Sequence, residues 1–309
     1  MLICANFDVM SSGVRMLSKN IGLGAVGGLA LLWASATQAD LSGISDYPYA
    51  RFVVMDPETG DVVLGHDERV KIHPASFTKM MAAQVVFEAM ADSNTNFNLQ
   101  SLVTIPRMIK QIPKDVAAFS LMKSGDKVPA EKLLIGMGAR SDAFSTLALA
   151  IHLGNSEVYD WHGTEHDKLF KFIDRMNVNA QKIGMTRSNF SVVTGIPYDE
   201  HYSTAKDIGL LMKDLQDNYP KSTELTFGQP SFDLSPISTS KSHTSRLLVA
   251  RPNRVQWAKT GATGKAGYNL AVYYKKNGVS LIGVVMAETG RATRNRTMLN
   301  ALTEGFKLQ

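Results

Sequence analysis

The sequence predicts a mixed α/β (α+β) fold: one mainly antiparallel sheet built from both chain ends, flanked by helices, with a helical region inserted between. Three observations predict it. Runs rich in β-formers stand near the start, at 49–55 and 62–65, and near the end, at 254–259, 268–275 and 279–286. Between about 130 and 218 the apolar residues repeat at helical spacing instead. A last helical stretch, 293–306, follows the final β-like run. Strands first, helices next, then strands again is the order expected when both ends meet in one sheet.

The chain has 309 residues, 44% hydrophobic, with a formal net charge of +5. Lys and Arg are scattered and form no dense basic run, so a nucleic-acid footprint is not expected. The N-terminus carries the three parts of a secretory signal. Arg15 and Lys19 supply charge, 21–36 is a mostly apolar run, and Ala34, Ala36 and Ala39 precede Asp40. Cleavage after Ala39 is expected, leaving 40–309 as a single catalytic domain, exported to the periplasm or secreted. An uncleaved N-terminal anchor is the alternative, and Met10 or Met16 are alternative starts. The only cysteine, Cys4, lies inside the leader, so the mature chain has no thiol for a disulfide, a thiolate metal site or a nucleophile.

Along the chain, Asp56-Pro57-Glu58-Thr59-Gly60-Asp61 is strong turn chemistry joining the first two strands into a hairpin. A breaker-free run over 77–91 predicts a helix. A short strand is expected at 103–105, a turn at Ser124-Gly125-Asp126 and an extended piece at Val128-Pro129. Helices are predicted over 130–137, 144–153, 168–183 and from Ser203-Thr204 to about Asn218, the third strongly amphipathic. Lys276-Asn277-Gly278 is hairpin chemistry between the last two strands.

His73-Pro74-Ala75-Ser76-Phe77-Thr78-Lys79 opens the first helix. Ser76 stands at the helix start, and Lys79 projects from the same face one turn on. A serine hydroxyl needs a base to become a nucleophile, and a neutral lysine can be that base. Taken alone, the pattern is better read as a helix cap beside a solvated lysine. Two further motifs change that reading. Ser141-Asp142-Ala143 lies between two predicted helices, and Lys259-Thr260-Gly261 ends a β-like run. S-x-x-K followed by K-T-G is the signature of penicillin-binding proteins and class A β-lactamases.

The chain resembles the serine D-alanyl-D-alanine carboxypeptidases, the low-molecular-mass penicillin-binding proteins, over about 49–306. Besides the motifs, Gly184-Met185-Thr186, Thr194-Gly195-Ile196-Pro197, His201-Tyr202-Ser203-Thr204-Ala205-Lys206-Asp207 and Ala266-Gly267-Tyr268-Asn269-Leu270 carry the likeness. The resemblance implies a β-lactamase/transpeptidase-like fold and a serine peptidase acting on peptidoglycan pentapeptide stems. Ser76 would attack the D-alanyl carbonyl, Lys79 would act as general base, and Ser141 would assist. Lys259 would help hold Lys79 neutral and, with Thr260, attract the terminal carboxylate beside Gly261. The backbone N–H groups of Ser76 and Ala262 would hold the oxyanion. β-Lactams would be covalent inhibitors, and no metal or cofactor is implied. Larger relatives add a C-terminal β domain and an anchor helix. This chain stops soon after Phe306, so a short form without a clear membrane anchor is expected after signal cleavage.

One motif departs from the family pattern, which has Ser-x-Asn in second place. Read without gaps, Ser141 falls on the serine and Ala143 on the asparagine; the other register puts Ser141 on the asparagine and Ala139 on the serine. The first is preferred. Three functional readings follow: a carboxypeptidase, a D,D-endopeptidase cutting cross-links, or a weakly catalytic penicillin-binding fold because Ala143 replaces the asparagine. A β-lactamase fits less well, because no convincing Glu for a deacylating water stands in the middle segment. His162 and His166 sit four apart but in a predicted loop, so a metal site is not expected there. His201 and His243 read as loop or substrate-rim residues, His73 as structural, and Met80, Met81 and Met90 as core.

Overall fold

Strand β1 (Arg51–Met55) ties the two ends of the chain together, because it pairs with β2 (Val62–His66) on one side and β7 (Val279–Glu288) on the other. The computed structural model describes residues 50–113, 116, 121–155 and 158–309, and the predicted leader, residues 1–39, lies outside them. β5 (Val255–Thr263) and β6 (Gly267–Lys276) complete an antiparallel sheet in the order β2-β1-β7-β6-β5. The expected β-lactamase/transpeptidase-like arrangement of one sheet from both chain ends is therefore what the chain adopts.

Both faces of the sheet are buried, and the strand sequences alternate accordingly. In β1, Phe52 and Val54 point into one core and Val53 and Met55 into the other. The smaller core is closed by α7 (Arg246–Ala250) through Leu247 and Leu248, and by α8 (Arg291–Lys307) through Met298, Ala301 and Leu302. The larger core joins the opposite face to the helical region. This region holds α1 (Thr78–Ala91), α2 (Ala130–Ala139), α3 (Ala143–Leu153), α4 (Glu165–Lys182), α5 (Ala205–Asn218) and α6 (Pro220–Phe227). A two-stranded sheet, β3 (Leu102–Thr104) with β4 (Lys127–Pro129), packs at its edge. Among the described residues, no helix is long and apolar enough to cross a membrane.

Local chemistry sets the helix starts. Thr164 and Asp167 form a reciprocal capping box, so α4 begins three residues before its apolar periodicity is legible. Thr204 caps α5 by accepting from the Asp207 N–H at 3.0 Å. α1 is apolar on nearly every side because it runs through the middle of the larger core, where Met80 and Met81 are fully buried. Two helices were not foreseen. α6 starts on Pro220 and its sequence is mostly polar, while α7 has five residues, too few to display a period.

Strand β5 carries the link from fold to site. Trp257 faces the larger core and Ala258 the smaller one, so Lys259 and Gly261 return to the helical side. The K-T-G segment lies within this strand, which continues to Thr263, and not at its end as the sequence suggested.

Candidate active site

Ser76 sits in a 3₁₀ turn, Ala75–Phe77, that leads directly into α1. Ala75 has φ 48°, a left-handed conformation that costs an alanine about 1–2 kcal/mol. The surroundings hold it there. The Thr78 hydroxyl donates to the Ala75 carbonyl at 2.7 Å, and His201 Nε2 lies 2.7 Å from that same hydroxyl. Because Thr78 spends its proton on Ala75, His201 is the donor. His201 Nδ1 in turn accepts from the Ser191 N–H at 3.2 Å, which fixes the neutral Nε2–H tautomer. Burial first, then His73 and Lys79, push the His201 pKa down to about 3, in keeping with this tautomer. His201 is therefore an internal support and not the rim residue that the sequence suggested.

Asn269 braces the other side of the turn. Its amide donates to the Pro74 carbonyl at 3.3 Å and accepts from the Ala287 N–H at 2.9 Å. Asn269 can reach there because it pairs with Gly261 across β5 and β6. Gly195 (φ 87°) presses so close that a Cβ on it would lie 2.1 Å from the Ala75 carbonyl oxygen.

Lys79 is fully buried one helical turn beyond Ser76, with Nζ 3.4 Å from Ser76 Oγ and donating to the Thr194 carbonyl at 2.5 Å. Burial lowers its pKa to about 8, with the Asp142 carboxylate partly opposing the shift. Neutral Lys79 would still donate to Thr194 and would offer its lone pair to the Ser76 hydroxyl. A long contact of this kind is common before substrate binds.

Ser141 stands between α2 and α3 with φ 62°, and its hydroxyl accepts from Lys259 Nζ at 2.8 Å. The side chain of Asp142 caps α3, accepting from the Ser145 N–H at 2.8 Å and the Ser145 hydroxyl at 2.5 Å. Ala143 follows as the first residue of α3 and is fully buried. Lys259 also donates to the Thr260 carbonyl at 3.1 Å, and its pKa lies well below the usual lysine value through burial and then the charge of Lys79. Repulsion between two buried ammonium groups is mutual, so the pair resists carrying two charges. The Thr260 hydroxyl donates to the Thr244 hydroxyl at 2.9 Å.

Ser76, Ser141, Thr260, Gly261 and Ala262 all line one cavity of about 870 Å³, and Lys79 and Lys259 lie buried behind that wall. All seven residues singled out from the sequence thus meet at one place. His243 also lines the cavity; burial, followed by Lys259 and Arg140, pushes its pKa down to about 3. His162 lies at the surface beside Asp160, and no three potential metal ligands converge among the described residues.

Several contributors were not assigned a role from sequence: the Thr194 carbonyl, Thr244, His201, Asn269 and Arg294. Thr194, His201 and Asn269 fall in segments that carry the family likeness, but only the fold connects them to Ser76. Arg294 had a readable signal. It occupies the buried stripe of α8 with Thr297, Met298 and Ala301, where a cation is out of place unless it has work to do. It lines the cavity and donates to the Asn269 carbonyl at 3.3 Å and to Asn295 Oδ1 at 2.8 Å. Burial, then Arg291, lowers its pKa to about 10, so it stays charged at neutral pH.

Residues 45–290 match the family model described as D-alanyl-D-alanine carboxypeptidase. The chain belongs to that family. Among D-alanyl-D-alanine carboxypeptidases it is 29% identical over 260 residues to DacC of Escherichia coli K12, covering 83% of this chain and 60% of that relative. It is 25% identical over 258 residues to DacF of Bacillus subtilis 168, covering 82% of this chain and 61% of the relative. The chain therefore spans about 60% of the length of these two relatives. Its fold is shared with a single-residue mutant of the Streptomyces K15 DD-transpeptidase, at TM-score 0.74 and 23% identity over 84% of this chain and 98% of that one.

The packing around Ala75 generates a test. Gly195→Ala meets both a left-handed backbone and a backbone oxygen, and a loss of about 2–4 kcal/mol is expected. Gly125 has φ 94° but open space around its Cβ position, so Gly125→Ala should cost only about 1–2 kcal/mol. Urea unfolding midpoints measure both; equal losses would mean that the contact with Ala75 carries no weight.

Proposed function

We propose that this chain is an exported serine peptidase that removes the terminal D-alanine from peptidoglycan stem peptides through an acyl-enzyme on Ser76. The observation that carries the reading is the buried Lys79 amine, 3.4 Å from Ser76 Oγ, depressed to a pKa of about 8 and lying just behind the cavity wall that Ser76 lines. Family membership supports the choice of substrate. In this reading the mature domain is 40–309, released by cleavage after Ala39.

The chemistry follows from the geometry. Neutral Lys79 takes the Ser76 proton as Oγ attacks the penultimate D-alanyl carbonyl. The backbone N–H groups of Ser76 and Ala262 are the candidate oxyanion donors. Thr260 and charged Arg294, with Lys259 buried behind them, form the wall that receives the substrate's terminal carboxylate. Ser141, hydrogen-bonded to Lys259, is placed to pass a proton to the departing amine. The carbon–nitrogen bond breaks, D-alanine leaves with that proton, and an ester remains on Ser76. The proton held on Lys79 replaces the one that Ser141 gave up, leaving Lys79 neutral again; water then attacks the ester while Lys79 accepts the water's proton and returns one to Ser76 Oγ. A β-lactam amide opens by the same first step, but its amine stays tethered to the acyl group.

One observation favours a slower variant of the same chemistry. Ala143 supplies only a buried methyl where the family has an asparagine amide. An absent transition-state hydrogen bond of this kind is worth about 3 kcal/mol.

Fluorescent penicillin tests both points. Wild-type protein is expected to become covalently labelled, and Ser76→Ala is expected to show no label; an unlabelled wild type would sink the peptidase reading. In the same assay Ala143→Asn is expected to raise the acylation rate about tenfold or more. An unchanged rate in a variant that keeps its native circular dichroism would remove Ala143 as the reason for a slow enzyme.

A further inference from the structure

A threonine hydroxyl has a single proton to donate. In the cavity wall Thr260 commits that proton to Thr244, whose hydroxyl accepts it at 2.9 Å. Both residues line the cavity beside Ser76 and Gly261. Among the described residues no acceptor takes the Thr244 hydroxyl proton in turn. The donor left over in this pair is therefore Thr244, and accepting from Thr260 makes its own O–H a stronger donor.

The backbone holds that hydroxyl in place from several sides. The Thr244 N–H donates to the carbonyl of Ala139, the last residue of α2, at 3.0 Å. Just before it, the His243 N–H donates to the Pro230 carbonyl at 3.1 Å, and His243 Nδ1 accepts from the Ser245 N–H at 2.8 Å. Just after it, Ser245 caps α7 by accepting from the Leu248 N–H at 3.4 Å. A donor fixed before the ligand arrives needs no reorganisation to bind it. The cations of the same cavity are less suited to give direction. Lys259 is buried and donates to Ser141 and to the Thr260 carbonyl, Arg294 donates to Asn269 and Asn295, and Arg140 donates to the Ser242 carbonyl at 2.9 Å. Arg246 and Arg291 line the cavity at exposed positions, where long solvated side chains add charge without a fixed orientation.

We infer that Thr244, and not Thr260, makes the direct hydrogen bond to the carboxylate that ends the substrate, and that Thr260 stands behind it as a positioning residue. The inference rests on the peptidase reading and gives it a source of specificity. Arg294 supplies charge, whereas Thr244 supplies one directed donor to a carboxylate oxygen. A terminal carboxamide can still accept from Thr244, but only as a neutral group, so the charge-assisted part of the bond is lost.

The test compares a synthetic acyl-D-alanyl-D-alanine with the same peptide ending in a carboxamide. Wild-type kcat/KM is expected to favour the free carboxylate. Thr244→Val is expected to lower that preference about tenfold, mainly through KM, as the charge-assisted part of one hydrogen bond provides. Thr244→Ser, which keeps the hydroxyl, should restore the preference. Thr260→Val leaves the Thr244 hydroxyl in place and should lower the preference no more than about threefold. A loss of about tenfold in Thr260→Val would overturn the inference even if Thr244→Val fails to fold. So would a preference unmoved by Thr244→Val, or equal cleavage of both peptides by wild-type protein that labels with penicillin. Protein that neither labels nor cleaves would overturn the peptidase reading and this inference with it.

Discussion

Two lysines buried in one site, Lys79 and Lys259, constrain everything around them. A buried ammonium with no counter-charge is far more expensive than a buried amine, and two side by side repel as well. The fold contains no carboxylate hydrogen-bonded to either nitrogen among its described contacts; it offers the Thr194 and Thr260 carbonyls and the Ser141 hydroxyl instead. Neutral acceptors tolerate an amine nearly as well as an ammonium, whereas a carboxylate would lock the charge in place. Asp142 is near enough to favour the charged form of Lys79, but its carboxylate is occupied with capping α3. The outcome is a lysine that can lose its proton close to neutral pH beside a serine that needs a base.

This electrostatic arrangement depends on a backbone that alone would not hold. Ala75 and Ser141 both sit in left-handed conformations that L-residues avoid; Ala75 directly precedes Ser76, and Ser141 is hydrogen-bonded to Lys259. Packing pays for the strain. Gly195, Thr78, His201 and Asn269 fix the turn before Ser76 from different segments of the chain, and the α2–α3 junction fixes Ser141 against Lys259. The sheet supplies the common reference, since β5 carries Lys259 and its neighbour β6 carries Asn269.

Much of this was legible in the sequence, and the exceptions have physical reasons. Alternation at 49–55, 268–275 and 279–286 marked the strands because each faces a different core on its two sides. The S-x-x-K and K-T-G segments marked the site because their residue types have a chemical logic at fixed local spacing. α6 and α7 escaped because a short or polar helix shows no period. His201 and Asn269 escaped because their importance lies in contacts to residues 123 and 195 positions away, and no local pattern encodes such a pairing. Arg294 was open to detection as a cation on a buried helical stripe. The sequence reads Ala143 as an absent amide side chain, and the structure has it fully buried at the start of α3, which no local pattern shows.

The central claim is that burial leaves Lys79 able to act as a base. Lysine labelled with ¹³C at Cε and ¹⁵N at Nζ, with Lys79 assigned by the resonance lost in Lys79→Ala, allows its titration to be followed directly by NMR. The account expects a midpoint near pH 8, with the neutral amine above it and the ammonium below, so that acylation by penicillin rises with pH through the same midpoint. A midpoint at the ordinary lysine value of about 10.4, or an acylation rate that falls as Lys79 loses its proton, would contradict it.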